Sequence, residues 1–394
     1  MHIFLTGANG FLGTVLLRDL LTEGHTVTAL VRAKRGMDAN SRLKETLLDY
    51  DPYFPYDQVV GQTLFVVEGN ATQNNFDLDE KAYLGYAQRS DIILHNLACT
   101  ALETDWKIYE EVNIGSARKA IEFASHTRRK ALAYVSSAYV AGSRTGLVLE
   151  SELDISGSFR SSYERSKAMA ENEVRVAASS GSIRTMILRP SIIIGDSQNG
   201  WMCEEHHFFD FIRRLSWVHR LIHNKAGSDE PAADHRFHLL GDPKTTKNFI
   251  PVDHVARLIS MLIDTDAAWG RSFHLTHPEP ISLETLMKYV QEFLCWPELT
   301  WSLKEEAGEL SSLERRFARS VQIYGRYFWQ EPYFDQSQLN LVLGASLPIP
   351  DALSQDFVSR MVGFVQKKSI QKEKLRKEIA RRYQSADIAQ PVVF

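Results

Sequence analysis

Thr6-Gly7-Ala8-Asn9-Gly10-Phe11-Leu12-Gly13 stands between an apolar run, His2–Leu5, and an amphipathic run, Phe11–Leu21, which Gly24 closes before a second apolar run at Thr26–Val31. Short β-rich runs on either side of a helical pattern predict a βαβ unit. Glycine is needed in its first turn because a Cβ would obstruct the tight turn, the approach of backbone to a pyrophosphate, and the packing of helix on strand. The N–H groups at the start of the helix would face the phosphates. A glycine-rich turn in this position points to dinucleotide binding.

Working outward, further apolar runs occur at Leu64–Val67, Ile92–Leu97, Leu132–Ser136 and Thr185–Leu188, with helical patterns around Trp106–Ala124 and Tyr163–Ala178. Strands apolar on both faces with helices between them imply a parallel sheet covered on both sides. The expected fold is α/β, a doubly wound (Rossmann) parallel sheet over residues 1–195, with returning segments at about 237–276. A smaller, mainly helical C-terminal substrate lobe is expected from 196–236 and 277–394. In that lobe Glu204–His223 reads as a helix with Phe208, Phe209, Ile212, Leu215, Val218 and Ile222 on one face, serving as lobe core or as the wall of an acyl channel. Phe237–Leu240 and Phe273–Leu275 read as strands, and Val252–Ile263 and Leu283–Leu294 as helices, with Asp253 at a helix start. From Trp296 on, the chain reads as helical and aromatic, with Tyr324, Tyr327, Phe328, Trp329, Tyr333 and Phe334 expected in the core.

Composition narrows the class. The 394 residues carry 45 Lys+Arg against 49 Asp+Glu, a net charge of −4, which excludes a disordered tail protein and a globally basic nucleic-acid binder. Cys99, Cys203 and Cys295 are widely spaced and odd in number, which suits a reducing compartment. Neither an export signal nor an apolar run of the ~18 residues a membrane span needs is visible, so the cytoplasm is the expected location. His219 and His223 share a helix face, with His206 and His207 close by, but no Glu or Cys completes a set, and no metal is expected.

Two further constellations carry chemistry. Val31-Arg32-Ala33-Lys34-Arg35 ends the second strand, where an NAD-preferring site would offer Asp or Glu to the ribose hydroxyls. A cationic cluster suits a 2′-phosphate, so NADPH is expected, with Arg32 leading and Lys34 or Arg35 in support. In Tyr163-Glu164-Arg165-Ser166-Lys167 the i,i+4 spacing puts a phenol and an ammonium on one helix face. Ser161 with Glu164 has the pattern of a capping box. A neighbouring cation is expected to pull the phenol pKa down from about 10. Ser136-Ser137-Ala138-Tyr139-Val140-Ala141-Gly142 lies at the end of a strand, and Ser137 precedes Tyr163 by 26 residues. A hydroxyl there can hydrogen-bond a substrate carbonyl while the tyrosine supplies a proton.

Taken together, Thr6–Gly13, Asn113 in Val112-Asn113-Ile114-Gly115, Ser137, Tyr163 with Lys167, and Leu188-Arg189-Pro190-Ser191 followed by Gly195 resemble the extended short-chain dehydrogenase/reductases. Leu30–Ala33 with Arg42-Leu43, His95–Ala98 and Leu188–Gly195 are most similar to the thioester reductase and fatty acyl-CoA reductase branch. The resemblance is strong over 1–265. It implies Ser137, Tyr163 and Lys167 as the catalytic trio. It also implies a cofactor held by Thr6, Gly7, Asn9, Gly10, Phe11, Leu12 and Gly13, by Arg32, Lys34 and Arg42, by Asn70 and Ala71, by Leu97, Ala98 and Asn113, and by Pro190 and Ile193, with Tyr163 and Lys167 at the nicotinamide ribose. Gly69-Asn70-Ala71 departs from the Gly-Asp usual in relatives, though an Asn can still hydrogen-bond an adenine edge.

The expected reaction is NADPH-dependent reductive release of an acyl thioester, carried by an acyl or peptidyl carrier protein or by CoA, as an aldehyde. Whether reduction continues to the alcohol is left open. The alternatives are a ketoreductase, dehydrogenase or epimerase of the same family acting on a sugar nucleotide or other alcohol, and a non-catalytic NADP-binding scaffold. Between Gln366 and Tyr383, Lys367, Lys368, Lys372, Lys374, Arg376, Lys377, Arg381 and Arg382 face only Glu373 and Glu378, a local +6. This segment reads as a solvated basic helix or as a landing surface for an acidic carrier or the phosphates of CoA.

Overall fold

A computed structural model describes residues 1–34, 36–203, 207–225, 237–296, 298–303 and 310–386, with 208, 223–225 and 372–386 described by backbone alone. Arg35, Glu204 to His206 and the charged side chains of 372–382 lie outside the described residues, as does the side chain of His223. The chain forms two compact units. The first comprises Met1–Ile194, Gly241–Leu283 and Gln322–Ala352; the second comprises the described parts of 195–240, 284–321 and 353–386.

The first unit is built on seven parallel strands: β1 (His2–Thr6), β2 (Thr26–Val31), β3 (Leu64–Glu68), β4 (Ile92–His95), β5 (Ala131–Val135), β6 (Arg184–Pro190) and β7 (Ser272–Leu275). They lie in the order β7-β6-β5-β4-β1-β2-β3. The order reverses at β1, where chain connections depart to opposite sides, and this creates the crevice in which doubly wound sheets bind ligands. Register pairs Phe4 with Thr28 on one side and Ile93 on the other. One layer of the core gathers around Phe4, whose ring centroid lies 4.3 Å from that of Phe123 and 5.8 Å from that of Phe76.

Helix formation follows the sequence closely at Phe11–Thr22, Val252–Ile263 and Ser162–Ser179, and differs instructively elsewhere. The stretch Trp106–Ala124 is Trp106–Tyr109, then a π-helical turn over Glu110–Gly115, then Ser116–Ser125. A 3.6-residue period cannot register the extra residue that such a turn inserts. Inside the segment expected to be wholly helical, Leu299–Ser302 pairs with Phe237–Leu240 in the second unit, and Tyr333–Phe334 pairs with Leu147–Val148 in the first. Of the aromatics expected in the core there, Trp329 and Tyr333 are exposed and Tyr324, Tyr327, Phe328 and Phe334 half-buried, on a segment that belongs to the first unit.

In the second unit the helix His207–Lys225 buries Phe209, Ile212, Leu215 and Val218. The helix Gln355–Ala386 carries the backbone of the basic segment. Among the described residues no helix is long and apolar enough to cross a membrane, and no group of three His, Cys, Asp or Glu side chains is assembled for a metal.

Candidate active site

Because all seven strands are parallel, their C-terminal ends share one edge. The residues that follow β1 to β6 at that edge include nearly all those singled out in the sequence. Gly7 turns at φ +72°, and a Cβ there would stand 2.7 Å from the Asn96 carbonyl oxygen. At Gly13 a Cβ would lie 2.0 Å from the Gly7 carbonyl oxygen. The turn therefore admits only glycine at these positions, and the helix Phe11–Thr22 begins at Gly10 with no side-chain cap. A bare helix start beside a glycine cradle is the environment a pyrophosphate requires, so the residues present fit a dinucleotide. Thr6 is committed elsewhere: its hydroxyl meets His95 Nδ1 at 2.9 Å, and His95 Nε2 meets Ser116 Oγ at 3.0 Å. Burial, with the nearby Lys167, pulls His95 down to about 3, so the imidazole is a neutral link between β1, β4 and the following helix.

Arg32 and Lys34 leave the end of β2 exposed to solvent, and Arg42 reaches back from the helix Ala39–Tyr50 to the Arg32 carbonyl. After β3, the Asn70 side-chain oxygen accepts from the Thr72 amide at 3.2 Å and hydroxyl at 3.1 Å, and Ala71 is buried. Leu97 and Ala98 follow β4, Pro190 ends β6, and Ile193 pairs with Ile250 in a short parallel ladder beyond it.

Asn113 sits in the π-helical turn and is buried. Its Oδ1 accepts from the Cys99 amide at 2.7 Å, and its Nδ2 donates to the Cys99 carbonyl at 3.2 Å and to Ser166 Oγ at 2.7 Å. Ser166 in turn donates to the Tyr163 carbonyl at 2.7 Å. One amide side chain thus ties the loop after β4 to the first turn of the Tyr163 helix.

That helix, Ser162–Ser179, is N-capped by Ser161, whose hydroxyl accepts from the Glu164 amide at 3.3 Å. The reciprocal half of the expected capping box is displaced by one residue: Glu164 accepts from the amide of Arg160, at 2.8 Å, because its carboxylate is drawn toward the Arg160 guanidinium 3.5 Å away. The Ser137 hydroxyl stands near enough to Tyr163 to favour its phenolate, so the phenol and the hydroxyl converge. Burial lifts the Tyr163 phenol to about 12, opposed by the bond from Ser137.

Lys167 is fully buried one turn on, with Nζ 3.0 Å from Tyr134 Oη and 2.8 Å from the Val135 carbonyl. Its own pKa falls to about 7, because burial outweighs the attraction of Glu171. The expected depression of the phenol is not seen: burial outweighs the bond from Ser137 and the phenol ends above its ordinary value. Tyr134, Glu171 and Arg189 are the site's less visible members. Glu171 accepts from Arg189 at 2.7 Å, Arg175 at 2.8 Å and Ser136 at 2.7 Å, all side chain to side chain. Its position four residues after Lys167 is the one sequence signal that points to it.

Residues 5–259 match the NAD-binding family described as male sterility protein. The chain is 28% identical over 275 residues to the L-2-aminoadipate reductase of Schizosaccharomyces pombe, an alignment covering 66% of this chain and 18% of that protein. It is 28% identical over 295 residues to a linear gramicidin synthase of Brevibacillus parabrevis, covering 73% and 5% respectively. The chain spans under a fifth of the aminoadipate reductases it matches. Its fold is that of the terminal R domain from the myxalamid PKS-NRPS biosynthetic pathway, with a TM-score of 0.76, 23% identity and coverage of 93% and 91%. The UDP-glucuronic acid 4-epimerase of Bacillus cereus, solved with NAD, shares it at a TM-score of 0.64, 16% identity and coverage of 93% and 99%.

Proposed function

The chain belongs to the NAD-binding male sterility protein family, and from that premise we propose that it is an NADPH-dependent reductase that releases an acyl chain from a thioester as the aldehyde. The observation that carries this reading is the convergence of Ser137 and Tyr163 at the C-terminal edge of the sheet whose first turn is the glycine cradle. NADPH is favoured over NADH because residues 31–37 hold Arg32 and Lys34 and no carboxylate. Gly7, Gly10 and Gly13 with the helix start would hold the pyrophosphate, Arg32, Lys34 and Arg42 the 2′-phosphate, and Asn70, through its NH2 group, the adenine. Asn113 would act at one remove by fixing the loop of Leu97 and Ala98.

When bound, the nicotinamide supplies a hydride. Ser137 and Tyr163 then donate to the thioester oxygen as negative charge develops on it. As the carbonyl re-forms the C–S bond breaks, and the departing thiolate takes one proton from solvent, so that thioester, hydride and proton give aldehyde and thiol. Lys167 would support the Tyr163 helix face and meet the ribose. The resemblance of Leu30–Ala33, His95–Ala98 and Leu188–Gly195 to thioester reductases favours a thioester on a carrier protein as substrate. The +6 charge of 366–383 suits an acidic carrier.

The experiment follows NADPH oxidation and free thiol together, over a panel of acyl-CoA and carrier-bound thioesters, with wild type and Tyr163→Phe. One thiol per NADPH in the wild type, lost in the variant with NADPH binding retained, is expected. Turnover only with ketones or sugar nucleotides would give the family's alternative chemistry instead, and undiminished turnover by Tyr163→Phe would remove the residue's role.

A further inference from the structure

Beside the residues used above, the first unit buries a second polar cluster: Arg160, Glu164, Lys247, Glu331, Tyr139 and Tyr327. The side chains of Arg160, Lys247 and Glu331 are 8%, 2% and 2% exposed. Glu331 arrives on the segment 322–352, far along the chain from every catalytic candidate. One of its oxygens accepts from the Tyr139 hydroxyl at 2.5 Å and from the Asn248 amide at 3.3 Å; the other takes Lys247 Nζ at 2.5 Å and faces Arg160 at 3.7 Å. The Arg160 guanidinium stands 5.4 Å from the ring centroids of both Tyr139 and Tyr327, and Tyr327 Oη meets Ser161 Oγ at 3.0 Å. A buried ionic cluster of this kind is seldom more stable than well-packed apolar side chains in its place. What it does supply is fixed geometry.

The geometry leads to Ser137. Tyr139 is two residues on, in the 3₁₀ turn Ala138–Ala141, and its amide donates to Ser137 Oγ at 3.2 Å. With an oxygen lone pair so occupied, the Ser137 hydroxyl proton is directed outward, toward Tyr163. We infer that Glu331 is a positioning residue for Ser137, acting through the Tyr139 hydroxyl: it anchors the phenol, the phenol anchors the turn, and the turn aims the serine. The inference rests on the catalytic reading of Ser137 and Tyr163.

The test measures kcat, NADPH Kd and thermal midpoint for Tyr139→Phe, Glu331→Ala, Glu331→Gln, the Tyr139→Phe/Glu331→Ala pair, and Tyr163→Phe as reference. Tyr139→Phe takes one donor from Glu331, whose carboxylate keeps Lys247 and the Asn248 amide, so the fold is retained. The variant's kcat is expected to fall about tenfold, as a slight misplacement of a reacting group does, with NADPH Kd unchanged and the thermal midpoint only modestly lowered. Glu331→Gln, which still accepts from the phenol, keeps more kcat than Glu331→Ala, and the double variant loses no more than Glu331→Ala alone. A wild-type kcat for Tyr139→Phe, or losses that multiply in the double variant, overturns the inference. An inert Tyr163→Phe beside a fully active Tyr139→Phe overturns it alone, whereas an active Tyr163→Phe overturns the catalytic reading beneath it.

Discussion

Lys167 donates to the hydroxyl of Tyr134 at 3.0 Å, and its ammonium lies 4.5 Å from the centre of the same ring. Both side chains are fully buried, and burial draws the lysine down to about 7 from its ordinary 10.5. The folded state therefore gives up the proton near neutrality while the unfolded chain keeps it to about pH 10. Below pH 7 both states are charged and the folded state bears the full cost of burial; between 7 and about 10 that cost is relieved, so stability from this residue rises with pH. Lys167→Met should raise the thermal midpoint at pH 6 and flatten its climb between pH 7 and 10, while abolishing turnover. Parallel midpoint–pH curves for the two proteins would contradict this.

Cofactor choice is expected to depend on Arg32. A charge-assisted hydrogen bond contributes about 1.5–3 kcal/mol, or roughly 10- to 100-fold in affinity. Arg32→Ala should raise KM for NADPH by about that factor and leave KM for NADH nearly unchanged, with Lys34→Ala smaller in the same direction because an ammonium is a point charge where the guanidinium offers a bidentate fork. An unaltered NADPH to NADH ratio removes the assignment.

The glycine turn makes a sharper demand. Gly13→Ala places a methyl 2.0 Å from the Gly7 carbonyl oxygen, and backbone, unlike a flexible side chain, cannot swing aside. Gly7→Ala adds a left-handed φ of +72° to its own 2.7 Å clash. Each should abolish dinucleotide binding, measured by fluorescence titration, and cost several kcal/mol in urea unfolding, of the order that strain at a special backbone conformation costs. By contrast Gly24→Ala meets no atom and has only its φ of +86° to contend with, so it should bind normally.

How far the site is legible in sequence depends on whether its signal is local. The strand and helix runs from His2 to Thr22 and the turn between them are written in periodicity and in glycine, both local properties, and they appear almost to the residue. Ser137 and Tyr163 are legible because strand ends in a parallel sheet share an edge. Tyr134 is hidden as one more apolar strand residue, since nothing in Ala131–Val135 says that its hydroxyl meets a lysine 33 positions on. Glu331 is further out of reach, because its contacts span 83 to 192 residues. The aromatics around it read as core because periodicity reports apolarity, not whether a hydroxyl such as that of Tyr327 has a partner.

Glu171 offers the last test. Its carboxylate is fully buried, shared between Arg189 Nη2 at 2.7 Å and Arg175 Nε at 2.8 Å on one oxygen, and Arg189 Nε at 3.0 Å and Ser136 Oγ at 2.7 Å on the other. Burial alone would raise its pKa, but Arg189, then Arg175 and the Ser136 hydroxyl, hold it below the ordinary carboxylate value. A carboxylate depressed in the folded state contributes stability above its unfolded pKa and loses it as pH falls through the folded one, so this contribution is intact at pH 7 and fades below about 4.5. Glu171→Gln leaves Arg189 buried without its counter-charge, which should cost about 3–5 kcal/mol at pH 7. Because Ser136 adjoins Ser137, kcat should fall as well. Replacing the pair together, Glu171→Met with Arg189→Met, should recover much of the stability. Urea midpoints at pH 7 and pH 4 check both parts: the wild type should lose more between the two than Glu171→Gln does, and equal losses would show that the acid sensitivity of this protein arises elsewhere.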